Sequence, residues 1–133
     1  MSIASLTSLL KIVIVDDSLI VLERLKLMLS DMEFIEFAGY AHNISSAMQL
    51  INEQRPSVVI LDIHLHDDSP DQNGLNLLEA LRKKCPSIIV IMLTNLIEPQ
   101  YRDKCISLGA NYFFDKSNDF ERIPETLKQI SIN

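Results

Sequence analysis

Four continuous apolar runs punctuate the chain: Ile12 to Val15, Val58 to Leu61, Ile88 to Leu93 and Tyr112 to Phe114. Runs of this kind, with no polar alternation, are the pattern of parallel strands covered on both faces. A fifth segment, Ile35 to Tyr40, alternates more and predicts an edge strand. Helical spacing fills the intervals. Val21, Leu25, Met28 and Leu29 mark the first helix, and Ile44, Ala47, Met48 and Ile51 mark the second, after an Asn43 cap. A third helix follows Gly74 through Leu75, Leu78 and Leu81 and ends before Pro86. The fourth runs from Pro99 to Gly109, and the fifth from about Phe120 to Ile130 with Ile123, Leu127 and Ile130 inward. Strict β-α alternation with short connections predicts an α/β fold, a doubly wound five-stranded parallel sheet. Ahead of it, residues 1–10 form an N-terminal extension in which Ile3, Leu6, Leu9 and Leu10 suggest one amphipathic turn packed locally.

The length, 133 residues, fits one domain with a single core, and 47% hydrophobic residues can fill it. Only Ser131, Ile132 and Asn133 follow the last helix, so a single domain spanning 1–133 with no output domain is expected, although a segment excised from a longer regulator has the same appearance. Eighteen acidic against 12 basic side chains give a net charge of −6, which offers no basic footprint for nucleic acid. Cys85 and Cys105 form no CxxC pair, and no apolar run approaches the ~20 residues of a membrane span. A cytoplasmic protein with reduced thiols and no membrane partner is the expectation.

The polar residues at the strand ends change the picture. Asp16 and Asp17 end the first run, Asp62 the second, Thr94 the third, and Lys116 lies just past the last. In an open parallel sheet ligands bind outside the carboxyl ends of the strands, where the strand order reverses. Three crowded carboxylates repel one another and call for a cation. With no His or Cys ligand at metal-binding spacing, the set favours a hard divalent ion such as Mg²⁺, whose shell takes carboxylates, waters and phosphate oxygens. Lys116 and the Thr94 hydroxyl are then donors suited to phosphoryl oxygens. One carboxylate is left to serve as acceptor.

Four short pieces, Val15-Asp16-Asp17-Ser18, Leu61-Asp62-Ile63, Leu93-Thr94-Asn95 and Phe114-Asp115-Lys116-Ser117, together resemble the receiver domain of bacterial two-component response regulators over nearly the whole chain. The resemblance implies a flavodoxin-like sheet of order 2-1-3-4-5. It further implies that Asp62 accepts a phosphoryl group from a histidine kinase or phosphotransfer protein. Mg²⁺ would be held by Asp17, Asp62 and the His64 backbone carbonyl, with Asp16 orienting a metal-bound water. Thr94, the Asn95 backbone N–H and Lys116 would bind phosphoryl oxygens. Phe113 falls at the aromatic switch position that follows Thr94 inward, altering a face of helix 4, strand 5 and helix 5 read by a downstream protein or by a second copy in a homodimer.

Three departures stand out. His66 occupies a position where many receivers have proline, and Gly74 lies twelve residues beyond Asp62, which lengthens the loop 65–73 that carries Asp67, Asp68 and Asp71. Ser117 rather than proline follows Lys116, and a non-proline cis bond costs ~2.5–4 kcal/mol, so the cis peptide of many relatives is not expected. Asn95 stands where a smaller residue is common. Blander readings exist as well: Asp16 and Asp17 as a turn capping the first helix, Lys116 as a solvated lysine, Thr94-Asn95 as a cap. His64 and His66 read as solvated loop residues, since two histidines at i, i+2 without a third nitrogen or sulfur ligand are poor evidence for zinc.

The leading expectation is a phosphoacceptor signalling module that catalyses only its own phosphorylation and dephosphorylation at Asp62. A phosphorylation-independent adaptor of the same fold would have no need of all five site residues. An aspartyl phosphohydrolase would need an acid two residues beyond its nucleophile, where Ser18 and His64 stand instead. Flavin binding is disfavoured because the carboxylates would repel its phosphate.

Overall fold

Each local signal is resolved into an element of a computed structural model, which describes residues 9–65 and 73–132. The elements alternate: β1 (Leu10–Val15), α1 (Leu19–Ser30), β2 (Ile35–Ala41), α2 (Ile44–Gln54), β3 (Val58–Leu61), α3 (Gly74–Lys84), β4 (Ile89–Thr94), α4 (Pro99–Ser107), β5 (Tyr112–Asp115) and α5 (Ile123–Ile132). All strand pairs are parallel, and the order is β2-β1-β3-β4-β5. The expected sheet is therefore present, with β2 at an edge.

Two apolar layers account for the unbroken strand hydrophobicity. Ile12, Ile14, Ile60, Ile91 and Leu93 pack on α1 and α5 through Leu22, Leu25, Leu29, Ile123 and Leu127. Val13, Val15, Val59, Leu61, Val90 and Met92 pack on α2, α3 and α4 through Ala47, Ile51, Leu77, Leu78, Leu81 and Cys105. Successive strand residues thus serve opposite faces, each covered by helices. β2 departs from regular pairing at a bulge where the register shifts between Ile12 and Val13, beside Gly39 at φ +136.

Several boundaries differ from the expectation. Leu10 belongs to β1, its N–H donating to the Phe34 carbonyl at 2.7 Å, rather than to an amphipathic turn. The inward stripe of α1 is Leu22, Leu25 and Leu29, with Val21 and Met28 only at its border. The Ser18 hydroxyl, which accepts from Val21 N–H at 3.3 Å, sets the start of that helix and hence its phase. In α3, Leu77 joins Leu78 and Leu81 while Leu75 is only partly covered. Residues Phe120–Arg122 form a 3-10 turn before α5. The Asn43 cap of α2 is present, its side chain accepting from Ser46 N–H at 2.9 Å. Ile3, Leu6, His66 and the loop acids Asp67, Asp68 and Asp71 lie outside the described residues. Both cysteines are free; Cys105 is buried, which pushes its thiol up to about 11. Among the described residues no helix is long and apolar enough to cross a membrane.

Candidate functional site

The sheet's winding reverses between β1 and β3, so the helices that follow them, α1 and α3, pack on opposite faces and leave a crevice at the paired carboxyl ends, where such folds bind ligands. Val15 and Leu61 are paired across these strands, which brings the next residues, Asp16 and Asp62, side by side. Both are buried, while Asp17 is half-buried. Carboxylate oxygens of Asp16, Asp17 and Asp62 lie within 4.8 Å of one another.

Lys116 enters from the far side of the sheet. Its Nζ donates to Asp62 Oδ2 at 2.7 Å and pairs with Asp16 Oδ2 at 2.8 Å. One ammonium is thus shared by two buried carboxylates, which is the opposite of a solvated lysine. Burial works to lower the Lys116 pKa, but the hydrogen bonds and charges of Asp16 and Asp62 outweigh it and hold the ammonium above its usual range. Burial raises the Asp16 carboxyl, and the bonds from Lys116 and the Ser18 N–H offset only part of that rise. Three carboxylates against one ammonium leave the crevice with an excess of negative charge, and a donor set made of carboxylate oxygens fits a hard divalent cation such as Mg²⁺.

Thr94 closes β4, fully buried, opposite Asp115 of β5; its Oγ1 accepts from Leu96 N–H at 3.2 Å. The main chain carries Lys116 into place by donating its N–H to the Thr94 carbonyl at 3.0 Å. Phe113 pairs with Met92, two residues before the Thr94–Asp115 pair, so Phe113 and Thr94 face the same side of the sheet. Arg102 of α4 lies over the Phe113 ring at 5.9 Å. The side chains expected from the sequence, Asp16, Asp17, Asp62, Thr94 and Lys116, therefore gather at one end of the sheet. Asn95 and His64 are exposed at its rim, and the His64 N–H donates to Asp62 Oδ1 at 3.3 Å. Among the described residues no peptide bond is cis, so the Lys116–Ser117 link is trans.

Two contributors escaped the sequence reading. Ser18 both caps α1 and donates its N–H to Asp16 Oδ1 at 2.8 Å, steering that carboxylate while Lys116 takes the other oxygen. Gly74 presses on the acceptor strand: a Cβ there would collide with the Asp62 carbonyl and stand 2.8 Å from Ile63 Cα. A serine directly after the acid pair and a lone glycine at a helix start were the available signals. An open groove of about 600 Å³ lined by Ile51, Arg55, Pro56, Lys84, Cys85 and Ile88 lies at the opposite, amino-terminal end of the strands and carries no carboxylate.

The model of the response regulator receiver domain matches residues 12–128. The chain belongs to the response regulator receiver family. It is 33% identical over 121 residues to the sensory transduction protein LytT of Bacillus cereus, covering 90% of this chain and 46% of that protein. It is 30% identical over 117 residues to the transcriptional regulatory protein YdfI of Bacillus subtilis, covering 88% of this chain and 53% of that one. The receiver thus spans about half the length of the curated relatives it matches. Among solved structures, a DNA-binding response regulator of the LuxR family from Staphylococcus aureus superposes with TM-score 0.81 at 28% identity, covering 92% of this chain and 99% of that one. The signal receiver domain of NarL from Mycobacterium tuberculosis gives 0.82 at 21% identity, covering 95% and 98%, and shares the fold.

Proposed function

We propose that this receiver is a phosphoacceptor module in which Asp62 takes a phosphoryl group from a histidine kinase or phosphotransfer protein. The observation that carries the reading is the shared ammonium: Lys116 bridges Asp62 at 2.7 Å and Asp16 at 2.8 Å in a crevice that holds Asp17 as well. A surface turn or an adaptor face has no need to bury such a group.

In the forward step a carboxylate oxygen of Asp62 attacks phosphorus, and the bond from phosphorus to the donor breaks, its electron pair leaving with the donor. Charge accumulates on the phosphoryl oxygens, where the Lys116 ammonium, the Thr94 hydroxyl and the Asn95 backbone N–H stabilise it. Asp17, Asp62 and the His64 backbone carbonyl are the groups that would hold Mg²⁺, with Asp16 oriented toward its water; when bound, the ion neutralises phosphoryl charge. Water attack on the same phosphorus later restores the carboxylate. The protein acts on no other substrate in this reading.

The readout is a change of surface. Phe113 and Thr94 share a face, and the apolar Ile97, just before α4, and Ile106, within it, are exposed, 49% and 51%, which suits a protein partner or a second copy at the α4-β5-α5 face. Direct contact with nucleic acid is not part of this proposal, given a net charge of −6. A cytoplasmic setting suits a kinase-coupled domain with two free thiols. Incubation with acetyl phosphate and Mg²⁺, followed by intact mass, tests the proposal. Wild type should gain one phosphoryl group and Asp62→Asn none; a full adduct on Asp62→Asn would overturn the assignment.

A further inference from the structure

Lys116 sits between two aspartates that the chemistry above does not use. Asp115 ends β5, and both of its carboxylate oxygens are spent on the two residues that follow Lys116: Oδ1 accepts from Ser117 N–H at 2.8 Å and Oδ2 accepts from Asn118 Nδ2 at 2.8 Å. Asp119 closes the turn from the other side. Its Oδ2 accepts from Asp115 N–H at 3.0 Å, and its own N–H donates to the Asp115 carbonyl at 2.8 Å. Together with the Lys116 N–H to Thr94 carbonyl bond, these contacts fix the main chain on both sides of Lys116. Ser117 makes this closure available because, unlike proline, it keeps a backbone N–H to donate.

We propose that Asp115 and Asp119 are positioning residues, an interlocked turn that holds the Lys116 ammonium over the Asp62 carboxylate; this rests on the phosphoacceptor reading. Lysine is a point charge on a flexible four-carbon stem, so its placement depends on where its Cα is held. The two aspartates achieve this through backbone N–H groups and the Asn118 side-chain amide, without competing for the ammonium, which is engaged by Asp16 and Asp62. A displacement of the order of an ångström at a charged group facing the reacting atoms costs rate rather than binding. Four bonds concentrate on a turn whose outer residues, Ser117 and Asn118, are exposed, at the point where the chain delivers Lys116 to the crevice.

The experiment measures acetyl phosphate-driven adduct formation by intact mass, across donor concentrations at saturating Mg²⁺, alongside thermal melting. Asp115→Ala should lower the maximal rate about tenfold with little change in half-saturating donor, whereas Asp115→Asn, which keeps an oxygen for the Ser117 N–H, should stay within about twofold of wild type. Should Asp115→Ala fail to fold, Asp119→Ala against Asp119→Asn makes the same comparison at the other end of the turn. An alanine variant as fast as wild type, an asparagine variant as slow as alanine, or a rate loss that merely tracks melting would overturn the proposal. Absence of any adduct on wild type would instead overturn the phosphoacceptor reading itself.

Discussion

Gly74 opens α3 directly against the backbone of Asp62, with its N–H donating to the Ile63 carbonyl at 2.6 Å and no room for a side chain between them. The helix start and the acceptor strand are therefore one mechanical unit. Gly74→Ala should force them apart, destabilising the fold by about 1–3 kcal/mol, as overpacking does, and slowing adduct formation in the same variant. Urea unfolding together with the donor assay checks both; an alanine variant with unchanged midpoint and rate would contradict the close approach.

Removal of Lys116 leaves Asp16 and Asp62 buried with no counter-charge. Breaking such a pair costs roughly 3 kcal/mol, so Lys116→Ala should melt clearly below wild type in EDTA. Mg²⁺ should restore part of the loss by supplying the missing charge. Asp17→Ala, which relieves repulsion without breaking an ion pair, should melt no lower than wild type in EDTA while losing Mg²⁺-dependent stabilisation. Melting curves of the three proteins with and without Mg²⁺ decide between these outcomes.

The metal-free protein should show a particular dependence on pH. Burial raises the Asp16 carboxyl above 3.8, so the folded state binds its proton more readily than the unfolded state does. That group favours folding at low pH, and its contribution is lost as pH rises from 3.8 through the folded value. Lys116, also raised, contributes stability that is fully present below 10.5 and is lost at higher pH. Asp16→Asn should therefore flatten the acid side of the profile and also weaken the alkaline decline, because Asp16 is one of the two partners that raise Lys116. An identical acid limb in the variant would refute the assignment.

Coupling between Thr94 and Phe113 should appear only on activation. In the present state the Thr94 hydroxyl is occupied by Leu96 N–H at 3.2 Å. When it turns to a phosphoryl oxygen it vacates space on the face it shares with Phe113, and a ring without a hydroxyl can fill that space and leave no buried donor unpaired. Amide spectra with and without the phosphomimetic BeF₃⁻ should differ along β4, α4 and β5. In Thr94→Ala the Phe113 shifts should be largely lost, and their persistence at wild-type size would disprove the coupling.

Arg82 should matter for stability and not for chemistry. Its guanidinium donates to the carbonyls of Gly109, Pro86 and Ile88 at 2.8, 3.1 and 2.8 Å, and to Asn111 Oδ1 at 2.7 Å, tying α3 to both β4 and the turn before β5. Lysine cannot reproduce that fork. Arg82→Lys should cost about 1–2 kcal/mol and Arg82→Ala more, each with an unchanged rate of adduct formation when measured well below its melting temperature.

The fold class was legible in the sequence because its signals are local. Ile12 to Val15 and Val58 to Leu61 read as buried parallel strands wherever they sit, and helix spacing such as Ala47 with Ile51 follows from a fixed number of residues per turn. The identities of Asp16, Asp17, Asp62, Thr94 and Lys116 were legible too, since each stands where an apolar run stops. Tertiary structure decided which of them touch. Lys116 meets Asp62 across 54 residues of chain, and nothing in sequence spacing shows that a single ammonium is divided between Asp62 and Asp16. The inward phase of α1, the need for no side chain at Gly74 and the work of Arg82 were hidden for the same reason. Strand ends are marked by composition, but the distances between them depend on how the sheet twists and how its helices pack, and those are properties of the assembled chain.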